Sequence, residues 1–383
     1  MRSGVIALVV VVVGLAGLAV IYDVPLNDPV WWLMNEAPPR VTVGGPAGMQ
    51  RGPIDATVGL DPAGRTRIVS LRLDDQPQTQ PPPSGALKID TTALKDGPHR
   101  LEVVAHDTSR RQNLATATWT FQTDNTPPKL EVTVDPTEGP QEGHTVVLRI
   151  RGDEALSDVR GTLDGRMLRW QTDASGMWAL VGIPPDPPRA ALAVQVAAAD
   201  AVGNAAQVQQ EWTIRRTTFP EDDLDVEPTQ AEIDAHIAED RQLEEIYRRP
   251  NGSRLWDGSF RTPVSGPITT AFGTHRSYEF HPGMDFGAAQ GAPVIAPASG
   301  TVAYVGSVPA RGNVVILDHG AGVFSTYAHL QSAEVVQGDK VKPGQTIARV
   351  GSTGFSTGPH LHWEIWVDGA NVDPREWTRR AFP

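Results

Sequence analysis

Two histidines near the C-terminus have a spacing that suits a metal site. His360 and His362 lie in residues 359–367, where alternating polar and apolar residues and many β-branched and aromatic side chains predict a strand. Residues two apart on a strand project from the same face, so both imidazoles should point to one side. Four large apolar side chains should point to the other side: Leu361, Trp363, Ile365 and Val367. The stretch therefore predicts a sheet with one face packed in a core and the other face carrying the reactive side chains.

Further histidines lie close by in the sequence. Six of the ten histidines follow residue 270, and this clustering favours chemistry over a chance pair on a solvated face. His281 and Asp285 are four residues apart, and Pro282 and Gly283 between them disfavour a helix. We therefore expect an extended or bent segment with both ligand side chains on one side. His329 ends a third strand-like run.

The residue types define which metal could be held. The sequence contains no cysteine, so any metal must bind histidine and carboxylate groups. His281, Asp285 and His362 match the three protein ligands of a hydrolytic zinc site, which keeps a fourth position for water. One zinc ion per chain in this site would polarise a carbonyl and acidify water. His360 and His329 remain, and His360 is expected beside the water, as a base or as a donor to the developing oxyanion.

The elements that must position these residues are short strands. From residue 259 to about residue 380, β-like runs alternate with glycine turns, and we find no long amphipathic helix. The site is therefore expected on strands and loops of an antiparallel sheet.

Several separated motifs in this region occur in a recognisable order. They are His-x-x-x-Asp from His281, Tyr-x-His-Leu from Tyr327, and Gly-Ser-Thr-Gly-x-Ser-Thr-Gly-Pro-His-Leu-His-Trp-Glu from Gly351, with Phe272-Gly273, Gly312-Asn313 and Asp318-His319-Gly320 between or before them. Over residues 263–377 the chain thus resembles the lysostaphin-type (LytM-like) zinc metalloendopeptidases.

The resemblance implies a role for each candidate residue. His281, Asp285 and His362 would bind zinc, and His329 and His360 would form the catalytic pair that activates water. The family cleaves peptide cross-links of bacterial peptidoglycan, so stem peptides are the expected substrate. Some relatives have lost ligands and serve only as activators of wall amidases, which would make another cell-envelope protein the partner. All five positions are present here, and this favours an active enzyme.

The N-terminus predicts export. An apolar run covers residues 5–21, with Arg2 before it and Asp23 and Asp28 after it. About 17 apolar residues is the lower limit for spanning a bilayer, and the charges predict a cytoplasmic N-terminus with the remaining chain outside. Residues 1–24 are therefore predicted to be a membrane anchor, and a cleaved signal peptide ending near Ala19 is the alternative. Either way, the protein is expected in the cell envelope.

Residues 38–216 predict two β-sandwich domains, 38–125 and 128–216. Short alternating runs are separated by turn residues, and a set of positions recurs 93 residues later. Leu101, Val103, Ala105, Asp107, Trp119 and Phe121 correspond to Val194, Val196, Ala198, Asp200, Trp212 and Ile214. Such a period fits one sandwich domain. The junction at Thr126-Pro127-Pro128 resembles the seam between tandem bacterial immunoglobulin-like domains. Spacer and wall-binding roles are both open, and a purely structural wall-binding protein is a further alternative.

The net charge of −12 is concentrated in the linker, residues 217–258. Residues 219–258 contain 12 acidic and 4 basic residues, and no part of the chain offers the basic face of a nucleic-acid binder. Thr229 and Glu232 form a capping box, which predicts a helix ending near Arg249. This helix would either dock on a neighbouring domain or lie in the active groove as an inhibitory segment. The whole chain is thus predicted to be mainly β, with an N-terminal transmembrane helix and a short helical linker.

Overall fold

The computed structural model describes residues 29–79, 86–163, 165–221, 229–249, 252–275 and 280–383. The apolar run predicted to be a membrane anchor lies outside these residues. Within them, none of the helices combines the length and the apolar character needed to cross a membrane. The chain divides into two compact units: one contains the residues up to 127 with 200–204, and the other contains residues 128–199 and 205–383.

The first β-domain follows a short helix, α1 (Pro29–Met34). Its strands are β1 (Arg40–Gly44), β2 (Met49–Gln50), β3 (Pro53–Asp61), β4 (Thr66–Leu73), β5 (Gln76–Pro77), β6 (Ala86–Asp90), β7 (Gly97–Asp107) and β8 (Leu114–Thr123). They form two sheets, in the orders β1-β3-β6 and β2-β8-β7-β4-β5. Side chains from both sheets meet in one core, among them Ala56, Leu71, Leu101 and Val103. This domain has the two-sheet architecture expected of a sandwich.

The second β-domain repeats this plan. Its strands are β9 (Leu130–Asp135), β10 (Thr145–Gly152), β11 (Ser157–Leu163), β12 (Arg166–Met167), β13 (Gln171–Asp173), β14 (Gly176–Gly182), β15 (Ala191–Ala199) and β16 (Ala205–Thr213). The sheets have the orders β13-β14-β10-β9 and β12-β11-β15-β16. Val146, Leu148, Val194 and Val196 are among the buried residues between them. The immunoglobulin-like assignment of both domains stays a prediction.

The linker contains the predicted helix, α2 (Gln230–Tyr247). It docks on the C-terminal domain through an apolar cluster. The cluster consists of Leu243, Ile246 and Tyr247 with Val308, Val314, Ile316, Phe324 and Ala328. Docking, one of the two expectations for this segment, is therefore observed.

The C-terminal domain is built on one large sheet. Its strands are β17 (Ile268–Thr270), β18 (Met284–Gly287), β19 (Pro293–Ile295), β20 (Gly300–Val308), β21 (Gly312–Gly320), β22 (Val323–Ala333), β23 (Lys340–Val341), β24 (Thr346–Val350), β25 (His360–Val367) and β26 (Ala370–Val372), and the helix α3 (Pro374–Arg379) follows. The main order is β17-β18-β25-β22-β21-β20-β23, and the pairings are antiparallel. The predicted antiparallel sheet is confirmed.

The two faces of β25 differ as the sequence predicts. Leu361, Trp363, Ile365 and Val367 are fully buried in the main core of the domain. The opposite face, which we call the front face, carries His360 and His362 and continues through Glu364 to Trp366. It is on this face that α2 packs, because Trp366, Phe324 and Ala328 belong to the cluster that contacts the helix.

Candidate metal centre

Three predicted ligands converge from two neighbouring strands and the loop before them. Asp285 on β18 is the direct cross-strand partner of His362 on β25, and His281 lies just before β18. The Nδ1 atom of His362 lies 2.8 Å from Oδ1 of Asp285 and 3.0 Å from Nε2 of His281. His281 Nε2 lies 3.3 Å from the same Asp285 oxygen. One oxygen and two nitrogens thus form a compact triangle.

This triangle fits a tetrahedral cation. Ligand bonds of 2.0–2.1 Å place two tetrahedral ligand atoms about 3.3 Å apart, close to the three observed separations. All three side chains are buried, so the donor atoms are held by the surrounding structure. Two nitrogens and one carboxylate oxygen are also the donor set that zinc accepts in hydrolytic sites. The residues present therefore fit the predicted ion.

The outer nitrogens of both histidines are held by protein acceptors. Nδ1 of His281 donates to the carbonyl of Ala271 at 3.0 Å, so its Nε2 faces Asp285. Nε2 of His362 lies 2.8 Å from Oε1 of Glu364, so Nδ1 faces Asp285. A carboxylate or carbonyl behind each ligating imidazole is the usual arrangement at metal sites, because it fixes the tautomer and the ring orientation.

The electrostatics of the triangle favour a positive charge at its centre. Burial raises the pKa of Asp285, but hydrogen bonds from His281 and His362 outweigh it and hold this pKa well below its usual range. Burial lowers the pKa of His362, while its contacts with Asp285 and Glu364 reverse this effect and raise the pKa to about 9. The buried carboxylates thus retain a proton on His362, and a metal cation would replace that proton.

The other two predicted site residues lie beside the triangle. Nε2 of His360 is 3.8 Å from Oδ1 of Asp285, and the ring centroids of His329 and His360 are 4.7 Å apart. Nδ1 of His360 donates to the carbonyl of Gly358 at 2.9 Å, and Nδ1 of His329 donates to that of Thr353 at 2.8 Å. In both rings Nε2 is therefore the atom free to accept a proton.

A β-bulge aims His329 at the site. On β21 and β22, Asn313 pairs with Leu330 but Val315 pairs with Tyr327, so β22 contains one extra residue there. His329 has a φ of 56°, a left-handed conformation that is uncommon for residues other than glycine. The bulge lets His329 join the front face although Ala328, directly before it, already lies on that face. Strand alternation alone does not predict this.

A glycine allows the loops beside His329 to approach closely. Gly312 has a φ of 64°, and a Cβ atom there would lie 2.4 Å from the backbone of Thr353. The hydroxyl of Thr353 in turn accepts from the backbone N–H of Asn313 and donates to the carbonyl of Leu330. The Gly312-Asn313 pair seen in the sequence therefore lets the start of β21 pack against the loop before β25, which borders the site.

Sequence reasoning missed the residues behind the ligands. Glu364 is fully buried and bonds His362, and Arg311, only 3% exposed, bonds Glu364. The alternation of the strand places Glu364 on the front face, and this was the available signal for its role. Trp366 shares the same face but is stacked on Tyr247 of α2, with ring centroids 4.2 Å apart. It is therefore a packing residue.

The comparison with protein families identifies this domain. Residues 279–374 match the profile described as Peptidase family M23, and the matched range contains all five predicted site residues. The C-terminal domain is therefore a peptidase M23 (LytM-like) domain.

Individual relatives extend the comparison. The chain is 35% identical over 150 residues to the peptidoglycan DD-endopeptidase ShyA of Vibrio cholerae, covering 37% of this chain and 34% of that protein. It is 38% identical over 132 residues to the murein hydrolase activator EnvC of Escherichia coli, covering 34% of this chain and 30% of that protein. The match thus spans about a third of each of these relatives.

A solved structure covers more of the chain. An M23 peptidase from Pseudomonas aeruginosa is 26% identical, with a TM-score of 0.50, over 63% of this chain and 95% of that chain. The likeness therefore reaches beyond the 96 residues of the family match, from 279 to 374.

Proposed function

We propose that this protein is a zinc-dependent endopeptidase that hydrolyses peptide cross-links of bacterial peptidoglycan. The observation that carries the proposal is the buried triangle of His281, Asp285 and His362, with ligand atoms 2.8–3.3 Å apart. The family of the domain and the DD-endopeptidase name of a relative support the substrate class. Zinc bound there would polarise the scissile carbonyl and lower the pKa of a water molecule.

His329 and His360 would manage the protons of the reaction. Burial and the neighbouring His362 lower the pKa of His329 to about 3, against the opposing effect of its bond to Thr353. His329 is therefore neutral at pH 7, with Nε2 able to accept a proton from the attacking water. A histidine that has taken this proton can return it to the leaving amine. Nε2 of His360, next to Asp285, is in position to accept from the same water and, once protonated, to donate to the developing oxyanion.

The activator function, known by name for EnvC, is the second candidate. The complete triangle and the two adjacent histidines favour hydrolysis, because an activator that does not cleave has no need of them. An activator would also require a partner protein of the envelope, whereas a hydrolase acts on peptidoglycan directly. Cleavage of purified peptidoglycan by the isolated protein distinguishes the two.

The proposal includes a location in the cell envelope, with residues 1–24 as the membrane anchor. The apolar run at residues 5–21 and its flanking charges support it. Fractionation checks this: the full chain should sediment with membranes, and a chain lacking residues 1–24 should not. A full chain found in the soluble cytoplasmic fraction would contradict it.

Alanine substitutions test the assignment of the site. His281→Ala and Asp285→Ala should abolish zinc retention, because each removes one of three ligands. His360→Ala should retain zinc and lower kcat by about 10²–10⁴-fold, the usual contribution of a positioned acid or base. His275→Ala is the matched control, since this exposed histidine is not part of the triangle and should affect neither quantity.

Zinc content by mass spectrometry and product release from purified peptidoglycan give the two readouts. If His281→Ala, Asp285→Ala and His360→Ala lose zinc to the same extent, the assignment of His360 as a catalytic residue that does not bind the metal is wrong. A zinc-loaded wild-type protein that cleaves no peptidoglycan would support the activator function instead.

A further inference from the structure

The linker helix α2 is connected to the predicted metal centre by a chain of charged side chains, most of which are buried. Oε1 of Glu239, on α2, lies 2.9 Å from Nη1 of Arg311, and Oδ1 of Asp240 lies 2.7 Å from the same nitrogen. Nε of Arg311 donates to Oε1 of Glu364 at 2.7 Å. The same Glu364 oxygen lies 2.8 Å from Nε2 of the predicted ligand His362. Three contacts thus connect the helix to a metal ligand.

A second connection runs through the backbone of the short segment between β20 and β21. The carboxylate of Glu239 accepts the backbone N–H of Ala310 at 2.6 Å and that of Arg311 at 3.2 Å. The carbonyl of Arg311 accepts the backbone N–H of His329 at 2.8 Å. Glu239 therefore fixes the peptide units that hold the bulge carrying His329.

Three members of this network are buried, and the network has an excess of negative charge. Glu239 is 2% exposed, Arg311 3% and Glu364 0%, so the contacts operate at low effective dielectric. Three carboxylates share one guanidinium. One of the three carboxylates, Glu364, lies directly behind His362, where it complements a cation on the other side of the imidazole.

Packing of α2 keeps this arrangement in place. Tyr247 stacks on Trp366, and its hydroxyl lies 2.7 Å from Oγ1 of Thr326 on the front face. Nε1 of Trp366 donates to Oε2 of Glu364 at 2.6 Å. Both oxygens of Glu364 are therefore occupied, one by His362 and Arg311 and the other by Trp366, and the carboxylate cannot rotate without losing contacts.

We infer that Glu239 and Asp240 of the linker helix are positioning residues of the metal centre, acting through Arg311 and Glu364 on His362 and through the Arg311 backbone on His329. The inference rests on the proposed function only in taking zinc as the ion bound. It makes two residues of α2 supports of the metal site, so that displacement of the helix would loosen the site.

Zinc affinity of the full chain is the direct test. Glu239→Gln keeps the shape of the side chain but removes its charge. It should weaken zinc binding by about 10-fold, the lower end of the effect of groups that bond a metal ligand directly, because Glu239 acts through Arg311 and Glu364. Asp240→Asn removes a half-exposed contact and should weaken binding by about two- to fivefold. Glu245→Gln, at an exposed position of the same helix, is the control and should leave the affinity unchanged.

Competition with a chromophoric chelator gives the affinity, and the visible spectrum of the Co²⁺-substituted protein reports the ligand geometry. A thermal scan of the metal-free variants confirms that each is folded at the temperature of the titration. If Glu239 acts through Glu364, its substitution should have less than a twofold effect in a Glu364→Gln background. If Glu239 contributed only to stability, its substitution would lower the melting temperature, and its effect on zinc affinity would be the same with and without Glu364→Gln.

The outcomes separate this inference from the proposed function. If the wild-type protein binds zinc and both Glu239→Gln and Asp240→Asn show unchanged zinc affinity and Co²⁺ spectrum, the role of the two helix residues is contradicted while the proposed function stands. Should Glu239→Gln fail to fold, Asp240→Asn decides by the same titration. Wild-type protein that binds no zinc overturns the proposed function and, with it, this inference.

Discussion

The two β-domains repeat one sequence pattern but are embedded in the molecule in different ways. In the first, Oδ1 of Asp107 accepts the backbone N–H groups of Ser109 and Asn113 in the turn between β7 and β8. In the second, Asp200 does the same for Val202 and Asn204 between β15 and β16. The repeat therefore reproduces a hairpin with its turn. It does not determine what the outer face of each sandwich contacts.

The second domain shares its packing with the peptidase domain. Val147, Trp178 and Leu180 belong to the main core of the C-terminal domain, while their neighbours Val146 and Leu148 face the interior of the sandwich. The first domain has a core of its own residues alone. The second repeat is therefore structurally part of the unit that contains the peptidase domain.

The contrast between the strands explains this difference. In β7, buried positions alternate with more exposed ones along the strand. In β10 the run Val146-Val147-Leu148 is buried on both faces, and in β14 the last five residues are all buried. A continuous apolar run is typical of a strand covered on both sides, so the sequence contained a signal for the shared core.

Substitutions at the junction between the second β-domain and the peptidase domain should cause the largest loss of stability. Trp377 is 1% exposed, stacks on Phe382 and donates from Nε1 to Oγ1 of Thr145 in the second domain. Trp377→Ala should lower the free energy of unfolding of this unit by about 3–5 kcal/mol. Denaturant unfolding followed by zinc release measures it. Trp119→Ala in the first domain is the control, and loss of zinc in that variant would contradict the distinction.

Core truncations compare the interiors of the two domains. Leu148 and Leu101 are both fully buried, and substitution of either by alanine should cost about 2–5 kcal/mol. Leu148→Ala should lower the temperature at which peptidase activity is lost, whereas Leu101→Ala should lower a separate calorimetric transition. Identical effects of the two variants on activity would show that the units unfold together.

Acid should destabilise the unit that contains the peptidase domain. His319 is fully buried, bonded to the carbonyl of Ser299 and the hydroxyl of Ser325, and burial lowers its pKa to about 4 against the opposing Ser299 bond. The unfolded chain binds this proton near pH 6.5, so stability present above pH 6.5 is lost as the pH falls towards 4. The loss is about 3 kcal/mol. The free energy of unfolding, measured as a function of pH, should fall between pH 6.5 and 4 in the wild type and should fall less in His319→Gln.

The smallest expected loss of stability comes from the polar contacts that Arg169 makes at the same junction. Arg169 of the second domain bonds Oδ1 of Asp368 at 3.2 Å and the carbonyls of Arg248 and Arg249 at 2.9 and 2.6 Å. Arg169→Gln should cost about 1–2 kcal/mol. Arg160→Gln, which removes an exposed pair with Asp158, should change stability by less than about 0.5 kcal/mol. Chemical denaturation distinguishes the two, and equal values would contradict a structural role for this edge.

Much of the candidate site follows from the sequence because its predicted ligands obey local rules. The spacing of His281 and Asp285, the alternation of β25 and the absence of cysteine were enough to predict the triangle, and the antiparallel sheet followed from short runs and glycine turns. His329 was identified by the motif, but the bulge that turns it required the register of β21 and β22. The Glu239–Arg311–Glu364 network joins residues 53–72 positions apart. Contacts of this kind depend on how α2 packs, which no local pattern encodes.

The position of α2 also limits what can lie on the front face. Beyond His362, Glu364 and Thr326 are fully buried, and Trp366 is stacked against Tyr247. A peptide bound at the proposed metal centre would therefore meet α2 and would not extend along the front face of β25. The short, branched cross-links of the proposed substrate fit this limit more easily than a long extended polypeptide does.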